Sequence, residues 1–148
     1  MTEVVLGDIG KVSVLNIKKY TDDRGFIDQL HNDDYPFNIK RIYRIKPFKG
    51  IVRGFHGHKK EWKAFLVLDG TVKFITYPVE GKETTVTVLR ADDKVLIVPP
   101  GFYNGFVALT DDVDMIGLSS STLKESQNDD YREDPYIFGK NIWRTEDR

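Results

Sequence analysis

Eight short runs of the chain alternate apolar with polar residues or are dense in β-branched and aromatic side chains, and each is cut off by a turn signal. They fall at 12–17, 39–45, 64–68, 71–77, 84–89, 94–98, 105–109 and 113–118. A period of two puts alternate side chains on opposite faces of a strand, so these runs predict strands rather than helices. The punctuation is Asp22-Asp23-Arg24-Gly25, Asp69-Gly70, Glu80-Gly81, Ala91-Asp92-Asp93, Pro99-Pro100-Gly101 and Thr110-Asp111-Asp112. Asp69-Gly70, between two apolar runs, reads as a hairpin turn. One stretch reads as helix, 121–127, where Thr122 and Glu125 have capping-box spacing. Many short strands with almost no helix predict an all-β sandwich or barrel.

At 148 residues the chain is sized for one domain, 1–148, with a real core. Its polar tail, 128–148, carries Tyr131, Tyr136, Phe138 and Trp143, and aromatics there point to a segment packed on the barrel. With 22 Lys and Arg against 23 Asp and Glu, the net charge is −1, so no global field draws the protein to nucleic acid or to a membrane. An anionic ligand must therefore be held by locally placed cations. The absence of cysteine excludes disulfides, thiolate zinc sites and thiol catalysis. The first eleven residues lack a secretory pattern and no apolar stretch approaches membrane length, so the expected location is cytoplasmic.

Chemistry concentrates between Arg53 and Lys63, in the string Arg53-Gly54-Phe55-His56-Gly57-His58-Lys59-Lys60-Glu61-Trp62-Lys63. On a strand, His56 and His58 share a face, beside several cations. Imidazole titrates near neutral pH, which suits His56 to acid–base work, and Lys63 suits a developing enolate oxygen. Base plus oxyanion stabiliser is the minimum kit for removing a proton next to a carbonyl. A metal-binding cupin carries His-x-His, a nearby Glu and a third histidine after a Pro-x-Gly turn. Here Asn104 stands at that third position, Glu61 falls one residue short, and lysines add like charge, so no metal and no other cofactor is expected.

Asp22-Asp23-Arg24-Gly25-Phe26, Val52-Arg53-Gly54-Phe55-His56, Lys63 and the run from Val98 to Phe106 together resemble the dTDP-4-dehydrorhamnose 3,5-epimerases, from about Asp22 to Trp143. Two strings, Ile39-Lys40-Arg41-Ile42-Tyr43 and Arg53-Gly54-Phe55-His56-x-His58-Lys59-Lys60, are more similar to the dTDP-sugar 3,4-ketoisomerases. The resemblance implies a cupin-type jelly-roll barrel acting on a nucleoside-diphosphate-linked 4-keto-6-deoxy sugar, dTDP-linked, in deoxysugar or polysaccharide biosynthesis. It implies that His56 removes the proton beside the ketone, with Asp134 behind it fixing its tautomer, and that Lys63 stabilises the enolate. Arg53 contacts the diphosphate, as does Arg24, across the subunit boundary where strands are exchanged in a homodimer. Phe26, Tyr43 and Asn104 complete the implied substrate contacts.

Two departures matter. The epimerases carry a tyrosine acid where this chain has Gly117, and a histidine where it has Asn104. Tyr43, Tyr103 and His58 stand as substitute proton donors, unranked by the sequence. The reaction is then epimerisation or a keto shift between C3 and C4; a non-catalytic sugar-nucleotide binder is a third reading. Trp62 and Phe65 read as barrel packing, His31 as a solvated loop residue, and Asp129-Asp130 and Asp111-Asp112 as surface turns.

Overall fold

The computed structural model describes residues 10–91 and 93–148; the opening segment 1–9, and Asp92 of the expected 91–93 turn, lie outside the described residues. In chain order the strands are β1 (Ser13–Asn16), β2 (Lys18–Asp22), β3 (Gly25–Gln29), β4 (Arg41–Ile45), β5 (Val52–His58), β6 (Lys63–Asp69), β7 (Thr71–Pro78), β8 (Thr85–Arg90), β9 (Lys94–Val98), β10 (Phe102–Ala108), β11 (Asp114–Ser119) and β12 (Tyr131–Arg132), with one helix, α1 (Leu123–Gln127), and a 3-10 turn at Asn141–Trp143. All eight runs read as strands are strands, each within three residues of its expected ends. The histidine-bearing stretch forms β5. Beyond these runs, β2, β3 and β12 carry no clean alternation of apolar residues.

Two five-stranded antiparallel sheets face each other, in the orders β1-β9-β6-β11-β4 and β12-β5-β10-β7-β8, while β2 and β3 pair as a separate ribbon. The core between the sheets is built from alternate residues of facing strands: Ile45, Phe65, Val67, Leu96 and Met115 from one side, Val72, Phe74, Leu89 and Phe106 from the other. Each sheet is also covered outside. Ala64, Leu66, Val95 and Ile97 pack under Leu30, Tyr35, Phe37 and Ile39. Phe55, Ile75, Tyr77 and Val107 pack under Phe138, Ile142 and Trp143. Burial on both faces explains why β6 reads as a nearly continuous apolar run from Ala64 to Leu68. The tail aromatics do the covering: Trp143 lies 5.3 Å from Phe55, ring to ring, and its indole N–H donates to the Pro135 carbonyl at 2.7 Å. Each such buried aromatic contributes roughly 1.5–3 kcal/mol by leaving water.

The Asp69-Gly70 turn is not a hairpin. Both edges of β6 are already taken, by β9 and β11, so the chain cannot fold back beside it. Instead the turn crosses from one sheet to the other: Asp69 lies opposite Asp114, and Thr71 opposite Arg90. Gly70 has φ +83°, the left-handed backbone such a corner requires. The helix starts as its capping box dictates, with the Glu125 amide donating to the Thr122 hydroxyl and Glu125 accepting from the Thr122 amide.

Candidate active site

One end of the space between the sheets is not filled by apolar side chains, because the inward faces of four strands become polar there. On β6 the inward positions run from Val67 and Phe65 to Lys63; on β4, from Ile45 to Tyr43 and Arg41. β5 contributes His56 and Arg53, opposite Asn104 and Phe106 of β10. Two cavities that share lining residues result. One, of about 320 Å³, is lined by Tyr43, Arg53, His56, Lys63, Asn104 and Phe106, among others. The second, of about 300 Å³, is lined by Arg41, Tyr43, His56, His58, Lys63 and, from the segment after α1, Asp130 and Arg132. Tyr43, His56 and Lys63 are common to both, so they form the wall at which a ligand spanning the two would be held.

Asp129 shapes this wall. Its carboxylate accepts from three successive backbone N–H groups, those of Lys59 at 2.9 Å, Lys60 at 2.8 Å and Glu61 at 3.1 Å, clamping the β5–β6 turn. Its backbone carbonyl takes a hydrogen bond from Nδ1 of His58. A carbonyl can only accept, so Nδ1 of His58 carries a hydrogen and the neutral ring leaves Nε2 as a bare acceptor. That nitrogen is buried with no hydrogen-bond partner among the described residues. Asp129 is thus a buried structural anion rather than part of a surface turn.

The electrostatics suit proton abstraction. Burial, then the positive charges of Arg132 and Lys63, hold His56 below the usual histidine value, so its ring is neutral at neutral pH. Burial likewise lowers His58 and Lys63, with Glu61 pulling both back up. Burial, reinforced by Glu61, pushes the Tyr43 phenol up to about 12, which keeps its proton in place as a donor.

Tyr43 also occupies a space made for it. Gly117 of β11 pairs directly with Tyr43 of β4, and its missing side chain would point inward, next after Met115. A Cβ on Gly117 would stand 2.3 Å from Cζ of Tyr43 and 2.7 Å from its hydroxyl oxygen. The Tyr43 ring therefore lies over the position that the sequence resemblance sets against the epimerases' tyrosine. This close approach is the physical use of a glycine inside a strand.

Of the other expected site residues, Tyr103, Asp134, Arg24 and Phe26 line neither cavity, while Asn104 is on the cavity wall but engaged with the backbone. Tyr103 faces outward: alternation along β10 puts Phe102, Asn104 and Phe106 inside, while Tyr103 stacks on Tyr77 at 4.9 Å. Asp134 accepts from the Tyr136 amide at 2.8 Å in the tail turn and makes no hydrogen bond to His56 among the described residues. The carboxylate that acts on His56 is Asp130. Arg24 and Phe26 sit on the β2–β3 ribbon, away from both cavities. Arg24 is exposed and paired with Asp22, and Phe26 lies under the Lys19 ammonium. Asn104 is buried, its amide donating to the His56 carbonyl at 3.3 Å, where it braces β5. Arg41, Glu61, Asp130 and Arg132 also join the site. Arg41 stands in the ketoisomerase-like string and Glu61 in the histidine string, neither marked there as a site residue, while Asp130 and Arg132 have only their place before the tail's Asp-Pro as a signal.

The chain matches the model of the FdtA family (WxcM-like, C-terminal) over residues 10–143. It is 32% identical over 115 residues to the TDP-4-oxo-6-deoxy-alpha-D-glucose-3,4-oxoisomerase of Aneurinibacillus thermoaerophilus, covering 76% of this chain and 81% of that one. Among solved structures, the QdtA 3,4-ketoisomerase of Thermoanaerobacterium thermosaccharolyticum, determined with TDP-4-keto-6-deoxyglucose, superposes with a TM-score of 0.73 at 27% identity over 82% of this chain and 87% of that one. The dTDP-4-dehydrorhamnose 3,5-epimerase of Bacillus anthracis superposes with a TM-score of 0.82 at 19% identity over 99% and 93%, which establishes a common fold.

Proposed function

The chain belongs to the FdtA family (WxcM-like, C-terminal), and on that premise we propose that it is a sugar-nucleotide isomerase that moves the ketone of a dTDP-linked 4-keto-6-deoxy sugar from C4 to C3. The observation that carries this reading is the Tyr43 ring seated over Gly117. It replaces an acid on one wall of the barrel with an acid on the neighbouring strand, close to His56 and Lys63.

The steps are as follows. Neutral His56 takes the proton from C3, and the C–H electron pair moves toward C4, whose carbonyl oxygen becomes an enolate. Lys63 stabilises that oxygen and Tyr43 protonates it. The resulting enediol loses the proton of its C3 hydroxyl, with His58 Nε2 or the Tyr43 phenolate accepting it. Protonated His56 returns a proton to C4. C3 is oxidised and C4 reduced by the same electron pair, so substrate and product are isomers and no co-reactant enters. Arg53, which has no ion-pair partner among the described residues, is the fork for the diphosphate.

The donor set supports a metal-free reaction, because Asn104 is engaged with the β5 backbone, His58 Nδ1 with Asp129, and six Lys and Arg side chains line the same cavities. Turnover unchanged by a chelator is the expected result. A homodimer is part of the proposal: among the described residues β4 is an open sheet edge, with Ile42 65% exposed, and the β2–β3 ribbon exposes Tyr20, Phe26 and Ile27. A partner's ribbon laid on that edge would cover these residues and bring its Arg24 toward the site. The reaction is tested with substrate carrying ¹³C at C3 and C4. The carbonyl resonance should move from C4 to C3. A carbonyl that stays at C4 with inverted neighbours identifies an epimerase, and an unchanged sugar identifies a binder.

A further inference from the structure

Glu61 is a buried carboxylate for which the isomerisation above has no step. Its side chain is 0% exposed, yet neither carboxylate oxygen has a hydrogen-bond partner among the described residues. What surrounds it instead is charge. Nζ of Lys63 lies 3.7 Å from Oε2, Nη2 of Arg41 lies 3.5 Å from the same oxygen, and Nδ1 of His58 lies 3.9 Å from Oε1. The Asp129 clamp on its backbone N–H fixes the turn that turns this side chain inward. A buried ionic group is weak support for a fold, and packed apolar residues of similar size commonly do as well or better, so stability gives no use for a carboxylate here.

We propose that Glu61 is a positioning residue that keeps the Lys63 ammonium charged and anchored at the cavity wall, ready for the developing oxyanion; this rests on the isomerase reading of the same site. Without Glu61, Lys63 would sit in a desolvated pocket facing Arg41 and Tyr43 from β4, His56 and His58 from β5, and Arg132 beyond them. The more distant Asp130 would be the acid left to oppose these cations. Burial already holds Lys63 below the ordinary lysine value, and Arg41 pushes it the same way. A lysine that has lost its proton cannot stabilise an enolate by charge. Glu61 therefore sets the pH above which the oxyanion site fails.

The experiment reads Lys63 directly, in the full chain without substrate, by following its ε-carbon resonance with pH in protein labelled with ¹³C at lysine Cε. An opposite charge at this separation is worth about 1–3 pH units, so the Lys63 midpoint in Glu61→Gln should fall by at least about one unit. In Glu61→Asp, which keeps the charge on a shorter arm, the midpoint should lie between the two. Should Glu61→Gln not fold, Arg41→Gln compared with the Arg41→Gln/Glu61→Gln double variant isolates the same effect with the opposing cation removed. In turnover, the alkaline limb of kcat should move down by the same interval while KM changes by less than a few-fold. An unmoved Lys63 midpoint in Glu61→Gln, or in the double variant against Arg41→Gln, overturns the proposal. A shifted midpoint in a protein inactive on every 4-keto sugar nucleotide leaves Glu61 as the anchor of Lys63 but rejects the isomerase reading.

Discussion

Gly117→Ala separates the placement of Tyr43 from its mere presence. The added Cβ would stand 2.3 Å from Cζ of the Tyr43 ring and 2.4 Å from Cε2. Restoring a carbon–carbon contact of about 3.5 Å requires the hydroxyl end of the ring to retreat by about 1.2 Å. The cavities beside the ring give it room, so the stability cost should sit at the low end of overpacking, about 1 kcal/mol. In a chain of this size that lowers Tm by roughly 2–4 °C. Catalysis is far less forgiving, since a misplacement of about 1 Å at a reacting group costs on the order of 10²-fold. Gly117→Ala should therefore lower kcat about 100-fold with KM nearly unchanged, because Arg53 on β5 is untouched. The assays are a thermal melt and steady-state conversion of dTDP-4-keto-6-deoxyglucose. Wild-type kcat in a protein carrying the new methyl group would refute Tyr43 as the proton donor.

Arg53→Ala should raise KM roughly 10- to 100-fold and leave kcat within a few-fold, as expected from losing one charge-assisted contact to a bound diphosphate; an unchanged KM would move the phosphate elsewhere. His56 works as a base when neutral, and its value lies below the ordinary 6.5, so kcat/KM should fall only as pH drops beneath that point. Arg132→Gln removes a charge that lowers His56 and leaves Asp130 unopposed, so the acid limb should move up in pH; a limb that stays or moves down contradicts the assignment. Trp143→Ala strips an almost fully buried indole from the outer face of the β5 sheet and should cost about 3–5 kcal/mol, seen as a loss of roughly 6–20 °C in Tm.

The barrel was legible because its signal is local and repeated: period-two runs between Gly, Pro and Asp turns set all eight expected strands. The sheet partner of each strand was not. Asp69-Gly70 has hairpin chemistry, and nothing local records that both edges of β6 are occupied. The β2–β3 ribbon escaped notice because exposed residues dominate it and leave no apolar face to read. At the site, His56, His58 and Lys63 were legible as a dense string on one strand and the start of the next. Tyr43 stood among the candidates but could not be ranked, since its advantage depends on the cross-strand register that sets it against Gly117. Tyr103 was misplaced for want of the β10 face, which a one-residue shift reverses. In the sequence Glu61 bears only on a metal-binding pattern and Asp130 reads only as part of a surface turn, because a buried carboxylate is indistinguishable in sequence from a solvated one.

The central claim is that one base, His56, works across C3 and C4 and that no acid reaches C5 from position 117. Conversion of dTDP-4-keto-6-deoxyglucose in heavy water, followed by NMR of the product, tests it most directly. The expected product has its ketone at C3 and hydrogen retained at C5, with deuterium at C4 in proportion to the exchange of protonated His56 with solvent before it returns its proton. His56→Asn should form none of it while still binding the nucleotide sugar. Deuterium at both C3 and C5 of a sugar whose ketone remains at C4 would contradict the account and make the protein a double epimerase.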